Sequence, residues 1–140
     1  MEESSQYFVA VLNKKIEIGR LMNALGHMTA GLAGGSGKSS EMNFIEYVDK
    51  DGGSHPNISK FPFMILKADN SNQIRKVRNE AKNRGIIFTD FTDTMTVDTY
   101  VDQLERTKNT VEAELEYYGI CLFGKNSDLK ELTKKFSLFN

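Results

Sequence analysis

The sequence predicts a single α/β domain, residues 1–140, with helices on both faces of a mixed, mostly parallel sheet. Three observations lead to this prediction. Apolar segments of strand length alternate with segments of helical periodicity, the segment Tyr7–Leu12 is apolar at every position, and 140 residues suit one hydrophobic core. We expect about four main strands and a small insertion made of a strand and a turn.

The strand candidates are short apolar segments bounded by turn-forming residues. After Tyr7–Leu12 they are Phe44–Val48, Phe61–Lys67, Gly85–Phe91 and Tyr117–Phe123. Asp49–Ser54 has the composition of a turn, and Glu112–Glu116 fits neither a helix nor a strand pattern. Of these segments, Phe44–Val48 and the turn after it form the predicted insertion.

Four segments have helical periodicity. Gly19 to about Ala33 carries an apolar stripe of Leu21, Leu25, Met28 and Leu32. Asn70 or Ser71 would cap a second helix that runs to about Arg84, and Gly85 follows it in the position that favours a glycine. The others are Asp98 to about Lys108, and Ser127–Phe136, for which Asn126 or Ser127 would be the cap.

Composition limits the class of protein. Eighteen Lys and Arg balance nineteen Asp and Glu, so the basic excess typical of proteins that bind nucleic acid is missing, although a local basic patch stays open. No apolar run approaches the ~20 residues of a membrane span. Met1–Ser5 is polar, unlike a signal peptide, and the single Cys121 excludes an internal disulfide. These features predict a cytoplasmic protein.

One face of the first helix carries polar and small side chains beside the apolar stripe. At ~100° per residue, this face contains Arg20, Asn23, Ala24, His27 and Gly31. Arg20 supplies a fixed positive charge, and His27 supplies a group that titrates near neutrality. The face is therefore a candidate ligand-binding surface, and an ordinary solvated helix face is the alternative.

A second candidate follows the strand that ends at Phe91. Sites in open α/β sheets gather beyond the carboxyl ends of strands, and Asp90 and Thr94 lie in the segment Thr89–Thr94 at such an end. An aspartate beside threonine hydroxyls can relay a proton or orient a water molecule. A turn that uses these side chains to satisfy its own backbone is an equally good interpretation.

Several other features do not predict a site. The segment 34–39 resembles a phosphate-binding loop, but its glycine spacing is wrong and it follows a helix. His27 and His55 have no carboxylate at ligand spacing, so we expect no metal and no cofactor. Cys121 has the setting of a buried, inert thiol. The basic residues of the second helix fit a solvated face, with phosphate contact as the alternative; they are Arg75, Lys76, Arg78, Lys82 and Arg84.

The order of these segments resembles that of type II peptidyl-tRNA hydrolases. Gly19–His27 is similar to the family pattern Gly-Lys-x-x-x-Gln-x-x-His, and Asp90–Thr94 is similar to its Asp-Ala-Gly-Arg-Thr. The resemblance implies that fold, a homodimer, and catalytic positions at His27, Asp90 and Thr94. It departs from the family at Arg20 and Ala24, which replace the lysine and the glutamine. The missing lysine could come from the loop residues Lys14 or Lys15.

The sequence resembles more closely a family of uncharacterised bacterial proteins with the same predicted fold. Three segments carry this resemblance: Asp49–Gly52, His55–Ile58 and Tyr117–Gly124. This second resemblance implies no activity, so whether the protein is an enzyme stays open.

Three functions follow as hypotheses. The first is binding of a small-molecule or peptide-like ligand between the first helix and the Asp90–Thr94 turn, with Arg20, Asn23 and Lys14 as ligand-binding residues. The second is hydrolysis of peptidyl-tRNA, a substrate that the neutral charge balance does not favour. The third is a non-catalytic, homodimeric interaction module.

Overall fold

The computed structural model describes residues 5–140. The strands are β1 (Gln6–Asn13), β2 (Phe44–Val48), β3 (Ser54–Ser59), β4 (Phe63–Ala68), β5 (Ile87–Thr92), β6 (Tyr117–Lys125) and β7 (Ser137–Leu138). The α-helices are α1 (Ile18–Gly35), α2 (Ser71–Arg84), α3 (Tyr100–Lys108) and α4 (Asn126–Thr133). Short 3₁₀ turns lie at Ser39–Glu41, Asp93–Met95 and Glu112–Glu114.

Five strands form one mixed sheet in the order β5-β6-β1-β4-β7. Only β1 and β4 are parallel neighbours, whereas the β1–β6, β5–β6 and β4–β7 pairs are antiparallel. The prediction of a mostly parallel sheet was therefore wrong. In the structure, β6 lies between β1 and β5 and runs antiparallel to both. The prediction missed this because an apolar pattern shows that a strand is buried on both faces but does not show its direction. The predicted α/β domain with a mixed sheet is confirmed.

Helices cover both faces of this sheet. On the first face, Leu21, Met28 and Leu32 of α1 pack against β1, β5 and β6. On the second face, Ile74 and Val77 of α2, together with α4, pack against the other side of the same strands. The alternation of β1 between the two clusters explains why Tyr7–Leu12 is apolar at every position.

The two ends of α2 follow the sequence prediction. The Asn70 side chain accepts a hydrogen bond from the Gln73 N–H, and Gly85 adopts a left-handed conformation with φ of 71° just after the helix. At α4 the prediction was wrong, because Lys125 is the N-cap and makes no capping hydrogen bond through its side chain. This helix ends at Thr133, and the chain beyond it forms β7, whose two residues are too short for a periodic signal.

The predicted insertion is a hairpin of β2 and β3, which pair only with each other. The Asp49 carboxylate accepts hydrogen bonds from the N–H groups of Asp51 and Gly53 and stabilises the turn. His55 lies in β3 and not in the predicted loop. Its Nε2 is 2.8 Å from Asp49 Oδ2. In residues 5–140, no helix has the length and hydropathy required to cross a membrane.

Candidate functional site

A cleft lies between α1 and the segment that follows β5. It has two adjoining hollows, of about 470 and about 300 Å³, which share Asn23, Phe91, Thr96 and Val97 as lining residues. His27 and Gln103 border the larger hollow, and Arg20 borders the smaller one. Its position matches the location predicted for a ligand, beside the first helix and near the carboxyl end of β5.

One helix face positions the polar side chains of the cleft. Arg20, Asn23 and His27 are exposed on the same side of α1, because their spacings of three and four residues keep them in line. Ala24, which the helical wheel placed with them, is fully buried in the core. Of the residues predicted on this face of α1, the structure therefore brings the three polar ones, Arg20, Asn23 and His27, together at the cleft.

The floor of the cleft is aromatic. The His27 and Phe91 ring centroids are 6.0 Å apart with an angle of 28° between the planes, and the Phe91 and Tyr118 centroids are 5.7 Å apart. Phe91 and Tyr118 are buried, so they are held in place by the core beneath. A flat apolar ligand group could rest on this floor while its polar groups reach α1.

The rim opposite α1 has an unfavourable backbone conformation. Val97 and Asp98 have φ values of 55° and 64°, a region that a β-branched residue such as valine rarely adopts. Gln103 and Arg106 hold it there, since both donate hydrogen bonds to the Val97 carbonyl and Arg106 also pairs with Asp98. Backbone strain that is retained in this way is characteristic of ligand-binding segments.

Asp90 does not direct its carboxylate toward His27. Its neighbours Thr89 and Phe91 contact α1, so the alternation of β5 turns Asp90 to the opposite face of the sheet. There its Oδ2 lies 3.6 Å from Arg78 Nε of α2. Burial raises the pKa of the Asp90 carboxyl, and Arg78 acts in the opposite direction. Asp90 thus lines the larger hollow from its place in the edge strand β5, while its carboxylate lies on the other face of the sheet.

The other two predicted residues also lie away from the polar side chains of α1. Thr94 is buried, and its hydroxyl is 2.7 Å from that of Thr92 and 2.8 Å from that of Thr107. Lys14 follows β1, where its Nζ is 2.9 Å from Asp69 Oδ1. The six predicted site residues therefore divide into a trio on α1 and three residues with separate partners.

Comparison with known proteins identifies the family. The family model described as "Protein of unknown function (DUF2000)" matches residues 6–140, which is nearly the whole chain. The chain belongs to the DUF2000 family. None of the curated proteins used for comparison matches it.

A solved structure shows the same fold as this DUF2000 chain. It is a protein of unknown function, Atu0240, from Agrobacterium tumefaciens strain C58, with a TM-score of 0.83 and 14% sequence identity. The match covers 97% of this chain and 98% of that one. At this identity the likeness concerns the fold alone, and the resemblance to peptidyl-tRNA hydrolases stays a prediction.

The DUF2000 match includes the cleft and a second polar cluster on the other face of the sheet. In that cluster, Arg75 donates a hydrogen bond from Nε to Glu112 and its guanidinium lies 5.1 Å from the centre of the Tyr117 ring. The side chains of Arg75 and Arg78 are mostly buried, so the expectation that the whole basic run is a solvated face was wrong for these two. It holds for Lys76, Lys82 and Arg84, which are exposed.

No metal site is evident in the part of the chain that the structure describes. Within residues 5–140, the side chains of His, Cys, Asp and Glu form no group of three or more that could hold an ion. Cys121 is fully buried beside Thr29, and burial raises the pKa of its thiol to about 12. The chemistry that the cleft offers is therefore hydrogen bonding, positive charge and aromatic contact.

Sequence reasoning missed the far wall of the cleft. Gln103 is one polar residue among several on α3, and nothing in the sequence marks Val97 as a residue with positive φ, because valine is among the least expected there. Phe91 and Tyr118 had the signal of ordinary strand residues. Only the tertiary arrangement shows that both rings line the cleft.

Proposed function

We propose that this chain binds a small-molecule or peptide-like ligand in the cleft of Arg20, Asn23 and His27. The observation that carries the proposal is the alignment of these three side chains over the Phe91 floor of one continuous cleft. A few convergent polar groups beside an apolar wall are the usual composition of a ligand site.

The ligand is expected to carry a negative or carbonyl group near Arg20. A guanidinium can donate two parallel hydrogen bonds to a carboxylate or phosphate. The Asn23 amide lies one helical turn away and lines both hollows, so it can donate to the same ligand. His27 gives the larger hollow an imidazole that can donate or accept a hydrogen bond.

Hydrolysis of peptidyl-tRNA receives no support from this geometry. That mechanism requires Asp90 and Thr94 to polarise a water molecule near Arg20. The Asp90 carboxylate instead faces Arg78 on the other side of the sheet, and Thr94 is buried among threonine hydroxyls. The homodimeric interaction module stays a prediction that sedimentation can test.

A thermal-shift screen tests the proposal. Purified protein is incubated with a panel of carboxylates, phosphates, amino acids and short peptides, and each compound that raises the Tm is measured again with Arg20→Ala and His27→Ala. We expect both variants to lose most of the shift. The matched controls are Lys82→Ala, which removes an exposed cation from α2, and His55→Ala, which removes the histidine of the hairpin.

Two results would contradict the proposal. One is a panel in which no compound stabilises the protein. The other is a compound whose shift is the same in the wild type, Arg20→Ala and His27→Ala, because such a compound binds elsewhere. A loss of shift in His55→Ala equal to that in His27→Ala would also argue against a specific site on α1.

A further inference from the structure

We propose that the ligand of the cleft is an extended segment of polypeptide, which adds as a further strand to the free edge of β5. This inference rests on the proposed function and specifies its ligand. It follows from three features: the position of β5 in the sheet, the state of its backbone groups, and the shape of the cleft beside it.

β5 is the terminal strand on one side of the sheet. The order β5-β6-β1-β4-β7 gives it β6 as its one neighbour among residues 5–140. Residues Ile87–Asp90 are each partly exposed, as expected for a strand open on one side. An antiparallel strand directs the backbone groups of alternate residues toward its neighbour and the rest outward. Half of the polar backbone groups of β5 therefore point away from β6.

Those outward groups make no backbone hydrogen bond within the described chain. The backbone bonds found outside regular helices and strands of residues 5–140 include Ile86 N to Ala81 O before β5 and Asp93 N to Glu116 O after it, but none from Ile87 to Thr92. Proteins usually protect such an edge with lysine, proline or a covering element. The sequence Ile-Phe-Thr-Asp-Phe-Thr of β5 contains neither lysine nor proline, and its protective features, the mostly buried Asp90 and the register irregularity between Phe91 and Thr92, lie toward its carboxyl end.

The hollows follow this edge. Thr89, Asp90 and Phe91 line the larger hollow, and Ile87 lines a further hollow of about 290 Å³ at the opposite end of the strand. An added strand would thus have open space along most of β5. Its backbone would supply the partners that the outward N–H and C=O groups need, which is the recognition mode called strand addition.

The two faces of the edge suggest what the added strand carries. Its side chains would alternate between the face of α1, where His27 and Asn23 lie, and the face of α2, where Arg78 faces Asp90. Arg20 lies near the carboxyl end of β5, at the smaller hollow that Phe91 also lines. The Arg20 guanidinium favours a peptide with an acidic side chain or a free terminal carboxylate at this end of the strand.

Peptides with modified backbones test the inference without altering the protein. A displayed library of random linear peptides is selected against the full chain, and the strongest binder is synthesised in three forms: unmodified, N-methylated at odd positions, and N-methylated at even positions. N-methylation removes the N–H donor and blocks one edge of a strand. We expect one of the methylated forms to lose at least about tenfold in affinity while the other binds like the unmodified peptide.

Hydrogen exchange of the backbone amides shows where the selected peptide binds. The bound unmodified peptide should protect amides within Ile87–Thr92 that exchange quickly in the free protein. Arg20→Ala should weaken a peptide with acidic residues, and Lys76→Ala, which removes an exposed cation from α2, should not.

The outcomes separate this inference from the proposed function. If both methylated forms bind equally, or if small acids bind through Arg20 while no peptide is selected, strand addition is wrong and ligand binding in the cleft stands. If neither peptides nor small molecules bind, both are wrong. Protection of the β5 amides in a ligand-free protein that sediments as a dimer would show that a second copy occupies the edge, and would overturn the peptide inference.

Discussion

The carboxylate of Asp90 and the guanidinium of Arg78 face each other across 3.6 Å, on the opposite side of the sheet from His27. Both side chains are about four-fifths buried, with exposed fractions of 19% and 22%. Arg78 Nε is buried and has no hydrogen-bond partner in residues 5–140, so its interaction with Asp90 is electrostatic. This pair connects α2 to the strand that borders the cleft.

Removing one member of this pair should destabilise the protein. Arg78→Leu leaves a mostly buried carboxylate without its positive partner, and we expect a loss of about 1–3 kcal/mol in the free energy of unfolding by urea. In the double variant with Asp90→Leu the loss should be smaller than the sum of the single losses. Arg84→Leu, which removes only exposed ion pairs, should stay within about 1 kcal/mol of the wild type. Strict additivity would mean that the pair does not interact.

Because the pKa of the Asp90 carboxyl is raised in the folded state, we expect the free energy of unfolding to depend on pH. Burial raises the pKa of Asp90 above its value of about 3.9 in an unfolded chain, so the folded state retains its proton to higher pH than the unfolded state does. The folded state then binds more protons, and the free energy of unfolding falls as pH rises through that window. Measured against Asp90→Asn, which does not titrate, the wild type should be relatively more stable near pH 3 than near pH 6. If the wild type were instead relatively more stable near pH 6 than near pH 3, the effect of Arg78 on the pKa of Asp90 would exceed the effect of burial.

Gly119 is expected to tolerate no side chain. A Cβ there would lie 2.7 Å from Leu12 Cδ2 and 3.1 Å from the Val11 carbonyl oxygen, which belongs to the neighbouring strand and cannot easily move. Gly119→Ala should therefore cost about 1–3 kcal/mol by thermal or urea unfolding. Gly124→Ala in the same strand is the matched control, because its nearest neighbours would be at 3.8 and 3.9 Å. Equal stability of the two variants would contradict the close approach of β6 to β1 at Gly119.

Relieving the strain at Val97 should stabilise the protein. Asparagine tolerates positive φ better than valine, and Val97 is largely exposed, so Val97→Asn removes strain without emptying the core. We expect a gain of about 1 kcal/mol, measured by the shift in Tm. Val101→Asn on α3, at a similarly exposed position, should give no gain. If the retained strain serves the cleft, Val97→Asn should also weaken any ligand found in the thermal-shift screen.

Local patterns in the sequence were sufficient for most elements and for the composition of the core. The α2 helix is the clearest case, because Asn70, the Ile74–Val77–Ala81 spacing and Gly85 each report on neighbouring backbone. The direction of β6 was beyond such reasoning. A strand buried on both faces looks the same in either direction, and only its pairing with β1 and β5 reveals the antiparallel arrangement.

The candidate site was predictable on one side only. A helical wheel places Arg20, Asn23 and His27 together, since one element carries all three. Predicting the direction of the Asp90 side chain would have required knowing which face of β5 packs against α1. The alternation of β5 shows that Asp90 and Phe91 point in opposite directions, but it does not show which of them α1 covers.

The hairpin of β2 and β3 has the geometry of a segment that can be replaced without disturbing the main sheet. Its two ends are joined at the base, where Lys60 N donates to Asn43 O at 3.0 Å, and both strands are largely exposed along their length. A segment whose ends lie this close can be shortened, exchanged or replaced by a foreign sequence while β1 and β4 keep their parallel register. The hairpin is thus a natural grafting point, at which an affinity tag or a fluorescent reporter could be carried without entering the cleft.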